Sequence, residues 1–424
     1  MKARLTLVLL GSLALAACQG DAIAPPTARS MDNPAQATLL SLVNQPSLNR
    51  SQGEALTAIR GRSSAAEVHL ARVANSPASV LKQGSAVRIE VAPGLEVEAV
   101  GQSLQQRGAE DLSWGGNLRG THGWVQVVVG EEGVTGTVTV GETKYSIEPL
   151  GNGLHAVARI DQSGFPPEHA PDNPNGTPSD VSDLGFAAAK GGNNEGTVGT
   201  MALSTINVLV VYTASAASAS GNIANRIQLA VDETNQSYTN SGISINMVRV
   251  HTAQVTYNEA GRSFSQHVSA LRSSTDGLMD NVHTLRNTYA ADVVVLVVND
   301  SEACGVASTI KATATSAFAV AHWSCITGYY SFAHEVGHLQ GARHDRFVDS
   351  STSPYAYGHG FIPSSKRWRT VMAYGNNCSN CTRIQWWSNP LKTYPSTGEV
   401  MGTAAYEDNA RVLNLTAPTV ALFR

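Results

Sequence analysis

His334 and His338 stand at i and i+4 in Ser331-Phe332-Ala333-His334-Glu335-Val336-Gly337-His338, so a helix there puts both imidazoles on one face. That pair can share one Zn²⁺ at Zn–N distances of about 2.0–2.1 Å, and Ser331 is placed to cap the helix. Gly341 follows, where a residue free of Cβ strain turns the chain sharply enough to return His344 to the same metal. Three neutral ligands leave a fourth position for water. Glu335, beside the first ligand, can take a proton from that water as it attacks a carbonyl. A His-Glu-x-x-His segment alone is weak evidence. The five identities His334, Glu335, His338, Gly341 and His344 together have a chance of about 10⁻⁷ per starting position, which makes coincidence a poor account. The remaining histidines His251, His267, His283, His322 and His359 read as hydrogen-bonding groups rather than ligands.

Of five cysteines, Cys18 stands apart near the start, and Cys304, Cys325, Cys378 and Cys381 lie in the second half. An even set in an exported chain points to two disulfides, and proximity favours Cys304 with Cys325 and Cys378 with Cys381. The first pair closes a loop worth about 3 kcal/mol by chain entropy. No second Cys-x-x-Cys is present to complete a four-cysteine zinc site with Cys378 and Cys381. The first residues carry Lys2 and Arg4, then an apolar run over 5–17, the layout of a secretory signal. That run is too short to span a bilayer, which takes about 20 residues. Its end, Leu15-Ala16-Ala17-Cys18, resembles the bacterial lipobox, whose cysteine becomes the lipidated first residue. The precursor is therefore expected to be membrane-held through Cys18.

A chain of 424 residues with 42% hydrophobic and 15% charged positions can build about two packed cores. The net charge of -4 is accompanied by no basic run, and Lys366-Arg367-Trp368-Arg369 is too short to line a groove, so nucleic acid is excluded as a partner. From 87 to 160, short runs of alternating apolar and polar residues separated by Gly and charged turns predict antiparallel strands. Between 161 and 200 the composition shifts to Pro, Gly, Asn, Asp and Ser, a linker or processing region. Beyond it the rhythm changes. Strands are expected at 206–212, 243–250 and 293–298, and helices at 223–238 and 278–289. The Ala/Ser run 214–220 reads as a loop that carries no chemistry. Strands alternating with helices imply an α/β sheet covered on both faces. The organisation expected is a signal peptide at 1–17, a β-rich N-terminal domain at 18–160, the linker at 161–200 and an α/β domain at 201–424.

The motif with its third histidine resembles that of the metzincin zinc metalloproteases rather than thermolysin-like enzymes, whose third ligand is a distant glutamate. Thr370-Val371-Met372-Ala373-Tyr374-Gly375 looks like the metzincin Met-turn, in which Met372 packs beneath the histidines without binding metal. Asp345 is similar to the aspartate of the reprolysin branch that bonds backbone near that turn. Tyr374 matches the Met-x-Tyr of astacins and serralysins, whose tyrosine can contact zinc and stabilise an oxyanion. Together with Tyr357-Gly358-His359-Gly360 and the segment 378–390, these residues look closest to the bacterial peptidyl-Asp metalloendopeptidases.

That resemblance implies one zinc per catalytic domain, an α/β (α+β) fold with a twisted mixed sheet and an active-site helix, and peptide cleavage on the amino side of aspartate and sometimes glutamate. Calcium is left open. An acidic side chain in the pocket calls for a guanidinium, and Arg383, after the Met-turn, is the first candidate, with Lys311 and Arg369 behind it. Tyr145-Ser146-Ile147-Glu148-Pro149-Leu150 looks like the end of a reprolysin-type propeptide, so 18–160 is expected to inhibit the enzyme. With no cysteine available, Asp161, Glu168 or His169 is the candidate to block the zinc. Cleavage in the linker should then separate a secreted catalytic domain from the lipid. Two rivals are a broad-specificity protease and a non-catalytic, metal-stabilised surface lipoprotein; the second is disfavoured because a structural metal site needs no base such as Glu335.

Overall fold

The structure is a computed structural model and describes residues 37–168 and 202–424. Cys18, the signal segment and residues 169–201 lie outside the described residues. Nine strands form a closed barrel in the order β1-β2-β9-β8-β7-β6-β5-β4-β3. They are β1 (Ala37–Leu42), β2 (Ala65–Val73), β3 (Ala86–Ala92), β4 (Leu95–Gln106), β5 (Leu112–Leu118), β6 (Gly123–Gly130), β7 (Gly133–Val140), β8 (Thr143–Gly151) and β9 (Leu154–Ile160). All pair antiparallel except β1 with β3, which closes the barrel in parallel and leaves no free sheet edge. Helices α1 (Arg50–Arg60) and α2 (Pro77–Val80) lie between its first three strands.

Period-two alternation sends Val125, Val127, Val129, Val134, Val138, Tyr145 and Ile147 into the barrel core. Their neighbours point outwards yet are also buried, because the second half of the molecule covers this wall. Gln126 donates to the Asp232 carbonyl at 2.8 Å, Thr137 to Glu233 Oε1 at 2.8 Å, and Lys144 to the Arg383 carbonyl at 2.9 Å. Outward-facing Trp124 joins an apolar cluster with Trp368, Ile384, Trp386, Tyr394 and Met401. Burial on both faces explains why β6 and β7 lack a solvent-facing polar row.

The second half is a five-stranded sheet in the order β11-β10-β12-β14-β13, parallel except for the antiparallel edge strand β13. Its strands are β10 (Ser204–Thr213), β11 (Ile245–Val255), β12 (Val293–Val298), β13 (Gly305–Ala307) and β14 (Phe318–His322). One face, with Val208, Val210, Val293, Val295 and Val297, packs on α4 (Ile223–Ser241), α7 (Ser331–Gln340) and α8 (Asn409–Val420). Leu209, Val211, Val294, Leu296 and Val298 face α5 (Phe264–Arg272) and α6 (Asn281–Thr288). Two-sided cover is what the continuous apolar run of β12 requires.

Two local expectations are corrected. Residues Ala214–Ser220 are a helix, α3, and not a loop. Alanine is the strongest helix former, and Thr213 Oγ1 caps the turn by accepting from the Ala216 N–H at 3.1 Å. The helix expected from 278 starts later, at Asn281, because the chain is still bending after Gly277 at φ 79°.

The wall between the two halves carries one buried ion cluster. Glu148 of β8 meets Arg226 of α4 at 2.7 Å and Arg62 at 2.7 Å. Burial opposes ionisation of Glu148, but Arg226 and Arg62 outweigh it and hold its carboxyl below the ordinary glutamate range. Its contribution to stability is therefore complete above the ordinary value of about 4.3 and is lost as pH falls through the lowered folded value. Glu148→Gln should cost about 3 kcal/mol at neutral pH, since it strands two guanidiniums. Thermal melts across pH 3–7 should show wild type losing this advantage as acid is added; parallel curves for the two proteins would contradict it.

Candidate active site

Helix α7 carries the histidine pair, and all its residues are buried. Ser331 is not its cap. The N-cap position is held by Tyr330 at φ 64° with no side-chain cap, and Ser331 lies one residue inside the first turn. The helix ends at Gly341, at φ 107°, where an added Cβ would also press on Tyr355 at 3.2 Å. The reversal brings His344 back over α7. The three Nε2 atoms then converge, His334 to His338 at 3.1 Å, His334 to His344 at 3.1 Å and His338 to His344 at 2.9 Å.

The protons are held elsewhere. His334 Nδ1 faces the Val371 carbonyl at 2.9 Å and His338 Nδ1 faces the Ala342 carbonyl at 2.9 Å, so each Nε2 presents a lone pair. Burial pushes His334 well below the ordinary histidine value and His338 down to about 4. Neutral nitrogens packed this closely repel one another unless a cation sits among them. Among the described residues, these three are the group that could hold a metal ion. Three imidazoles at this spacing fit zinc and supply three of its four usual ligands.

Glu335 follows His334 on the same helix. Its carboxyl is pushed up to about 8 by burial, against the opposing pull of Arg383 and the Ala307 N–H. A dication at the histidines favours its charged form. The carboxylate lies against Gly305 of β13, where an added Cβ would meet Glu335 Oε1 at 2.4 Å. Sequence reading missed Gly305, because a lone glycine before a short strand carries no signal of what it faces.

The Met-turn segment supports the histidines from beneath. Met372 is fully buried, and a Cβ on Gly337 would stand 3.1 Å from its sulfur and 2.6 Å from Trp387. Gly337 thus lets α7 settle on both. Asp345 Oδ2 accepts from the Tyr374 N–H at 2.9 Å, tying the third histidine's neighbour to the turn. The Tyr374 ring packs on His344 with centroids 4.1 Å apart, and burial raises its phenol well above the ordinary value. His359 is buried among carbonyls, with Nδ1 2.8 Å from the His344 oxygen and Nε2 2.9 Å from that of Ser351. Disulfides join Cys304 to Cys325 and Cys378 to Cys381.

Of the candidate cations, Arg383 and Arg369 come together and Lys311 does not. Lys311 lays its ammonium 4.8 Å from the centre of the Tyr355 ring. Arg383 and Arg369 are 1% and 2% exposed, and both pair with Glu168 Oε1, at 3.2 and 2.6 Å. The carboxylate of Glu168 is therefore not part of the histidine cluster. Asp161 is spent locally, accepting from Ser163 N–H at 3.0 Å, and His169 lies outside the described residues.

A buried, neutral three-histidine centre with a glutamate beside it defines the class of metal-dependent hydrolases. A family model, Reprolysin_5 of metallo-peptidase family M12, matches residues 202–388. A peptidyl-Asp metalloendopeptidase of Stenotrophomonas maltophilia is 44% identical over 299 residues, 69% of this chain and 68% of that one. One of Xanthomonas campestris pv. campestris is 40% identical over 400 residues, 88% of this chain and 93% of that one. Another, of Pseudomonas fragi, is 41% identical over 194 residues, 45% of this chain and all of that one. The chain belongs to the M12 metallopeptidases, and it is a metallo-endopeptidase, which removes the non-catalytic rival.

Gly305→Ala tests the seat of Glu335. The added methyl should leave metal stoichiometry intact while kcat falls about 100-fold, the usual cost of moving a reacting group by about an ångström. Metal analysis beside peptide kinetics checks it; unchanged kcat would mean Glu335 does not need that space.

Proposed function

We propose that this metallo-endopeptidase is zinc-dependent, that it cuts on the amino side of aspartate and of glutamate, and that it is exported as a lipid-anchored precursor. The observation that carries the specificity is the buried pair Arg369 and Arg383, which already holds the Glu168 carboxylate and whose charges are felt at His334 and, from Arg383, at Glu335. The name printed for the relatives, peptidyl-Asp metalloendopeptidase, agrees with it.

His334, His338 and His344 would hold the ion, with Asp345 and Met372 fixing the turn that orients them. The chemistry a zinc ion supplies when bound is Lewis acidity, polarising a scissile carbonyl and making a water more acidic. Glu335 accepts the proton of the attacking water and returns it to the leaving amine. Tyr374, whose ring packs on His344, donates to the oxyanion as charge develops. Arg383 fixes the substrate's acidic side chain beyond the scissile bond, and peptides are the partners.

Sequencing the new amino termini released from a mixed protein substrate tests this reading: Asp, with some Glu, should dominate. Arg383→Leu should weaken cleavage before Asp relative to cleavage before Leu by about 30-fold or more, the equivalent of about 2 kcal/mol for a desolvated charge pair. His344→Ala should lose zinc and activity together, and full zinc occupancy in that variant would contradict the ligand set.

Cys18 and the zinc site lie on opposite sides of the segment 161–200, so cleavage there leaves the acyl chains with the N-terminal barrel. Fractionated cells should hold Glu335→Gln full-length in the membrane and release processed wild-type enzyme. Active, processed wild type still acylated in the membrane would overturn this arrangement.

A further inference from the structure

The segment that leaves the barrel is tied to the catalytic half by a series of directed contacts. Gln162 grips the Arg383 backbone from both sides, accepting from its N–H at 2.7 Å and donating to its carbonyl at 3.1 Å, and also donates to the Gly328 carbonyl at 3.0 Å. Phe165 stacks on Tyr329 with centroids 4.7 Å apart. The Pro167 carbonyl accepts from the Cys304 N–H at 2.7 Å, immediately before edge strand β13. Glu168 then turns its side chain inward. Its Oε1 receives the Tyr329 hydroxyl at 2.6 Å, Arg369 Nη2 at 2.6 Å and Arg383 Nη2 at 3.2 Å.

The receptor for that carboxylate is built without Glu168. Arg369 donates through Nε to the Ala373 carbonyl at 3.1 Å and through Nη1 to that of Cys381, while Arg383 donates to the carbonyls of Tyr329 at 3.3 Å and Ala373 at 3.4 Å. Arg383 also lies over the Tyr329 ring, 4.5 Å from its centre. Ala373 directly follows Met372, so the pocket floor is continuous with the turn under the histidines. Among the described residues, Glu168 is the one carboxylate that forms an ion pair with either arginine. Burial opposes its charge, yet Arg383 and Arg369 hold it ionised. Without it, two guanidiniums held by backbone carbonyls would be left without their shared carboxylate partner.

We propose that Arg369, Arg383 and Tyr329 form the pocket that reads the acidic side chain of a substrate, and that Glu168 occupies it in the precursor as a built-in substrate mimic. This rests on the acid-selective reading above and adds two things to it: Tyr329 as a specificity residue beside the two arginines, and blockade of the side-chain pocket rather than of the metal. The carbonyl that an amino-side cut would attack is that of Pro167, whose oxygen accepts from the Cys304 N–H at 2.7 Å.

The test uses the full-length chain carrying Glu335→Gln, so that nothing is hydrolysed, and a fluorescent peptide with a central Asp beside its Asn twin. With Glu168 intact, anisotropy should report weak binding of both. Adding Glu168→Gln should tighten the Asp peptide at least tenfold and leave the Asn peptide unchanged, and Glu168→Asp should restore the block. Adding Tyr329→Phe or Arg369→Leu to the Glu168→Gln chain should each reduce the Asp preference, with melting curves confirming a folded protein. Equal Asp-peptide binding with and without Glu168→Gln would overturn the mimic even if released enzyme cuts before Asp. Released enzyme whose new termini lack Asp would sink the underlying specificity instead, whatever Glu168 does.

Discussion

Three imidazole nitrogens within 3.1 Å of one another, their other ring nitrogens turned to backbone or packed away from solvent, is an arrangement that neutral protein does not adopt without support. Each support is a separate piece of fold. Helix α7 sets the first two rings one turn apart, Gly341 reverses the chain for the third, and the carbonyls of Val371 and Ala342 fix which nitrogens stay bare. The Met-turn that supplies the Val371 carbonyl is held by Asp345 through the Tyr374 N–H and by the Trp386 carbonyl through the Val371 N–H. Gly337 has no side chain because anything there would lift α7 off Met372 and Trp387. The metal centre is thus an outcome of close packing as much as of ligand identity.

How much of this the sequence revealed follows from the range of the interactions. The His334 to His344 set was legible because helix periodicity and one glycine turn place all three ligands locally. Both disulfides were legible for the same reason, each joining near neighbours in the chain. The five-stranded sheet could be read from its apolar rhythm, but the barrel's closure could not, because it depends on β1 pairing with β3 across the sheet ends. The alternation of β6 to β8 predicted antiparallel strands without showing what their polar side meets. Gln126, Thr137, Lys144 and Glu148 are indeed polar, but they face partners far away in sequence rather than water.

Glu168 shows the same limit more sharply. Its position just past the barrel suggested an inhibitor, and its carboxylate suggested a metal ligand, since the ligands were the only cation site that could be located from sequence. Arg369 and Arg383 were visible as charges, but nothing local says that the backbone carbonyls of Ala373, Cys381 and Tyr329 would immobilise both in one buried pocket. In the structure the Glu168 carboxylate lies in that pocket, where two planar guanidiniums offer it directed donors.

The position of this pocket also shapes the catalytic centre. Arg383 lies near enough to His334 to disfavour its protonated form and near enough to Glu335 to favour its carboxylate, so one side chain pushes both groups toward the states a metal hydrolase needs. A buried arginine in that role is costly while its charge is unbalanced. In the structure Glu168 supplies the balance, and on the proposed reading an acidic substrate side chain supplies it in turn during catalysis. A neutral side chain would leave Arg369 and Arg383 facing each other beside the histidines. Discrimination between acidic and neutral residues then comes from the penalty for an uncompensated charge, added to the attraction for the correct one.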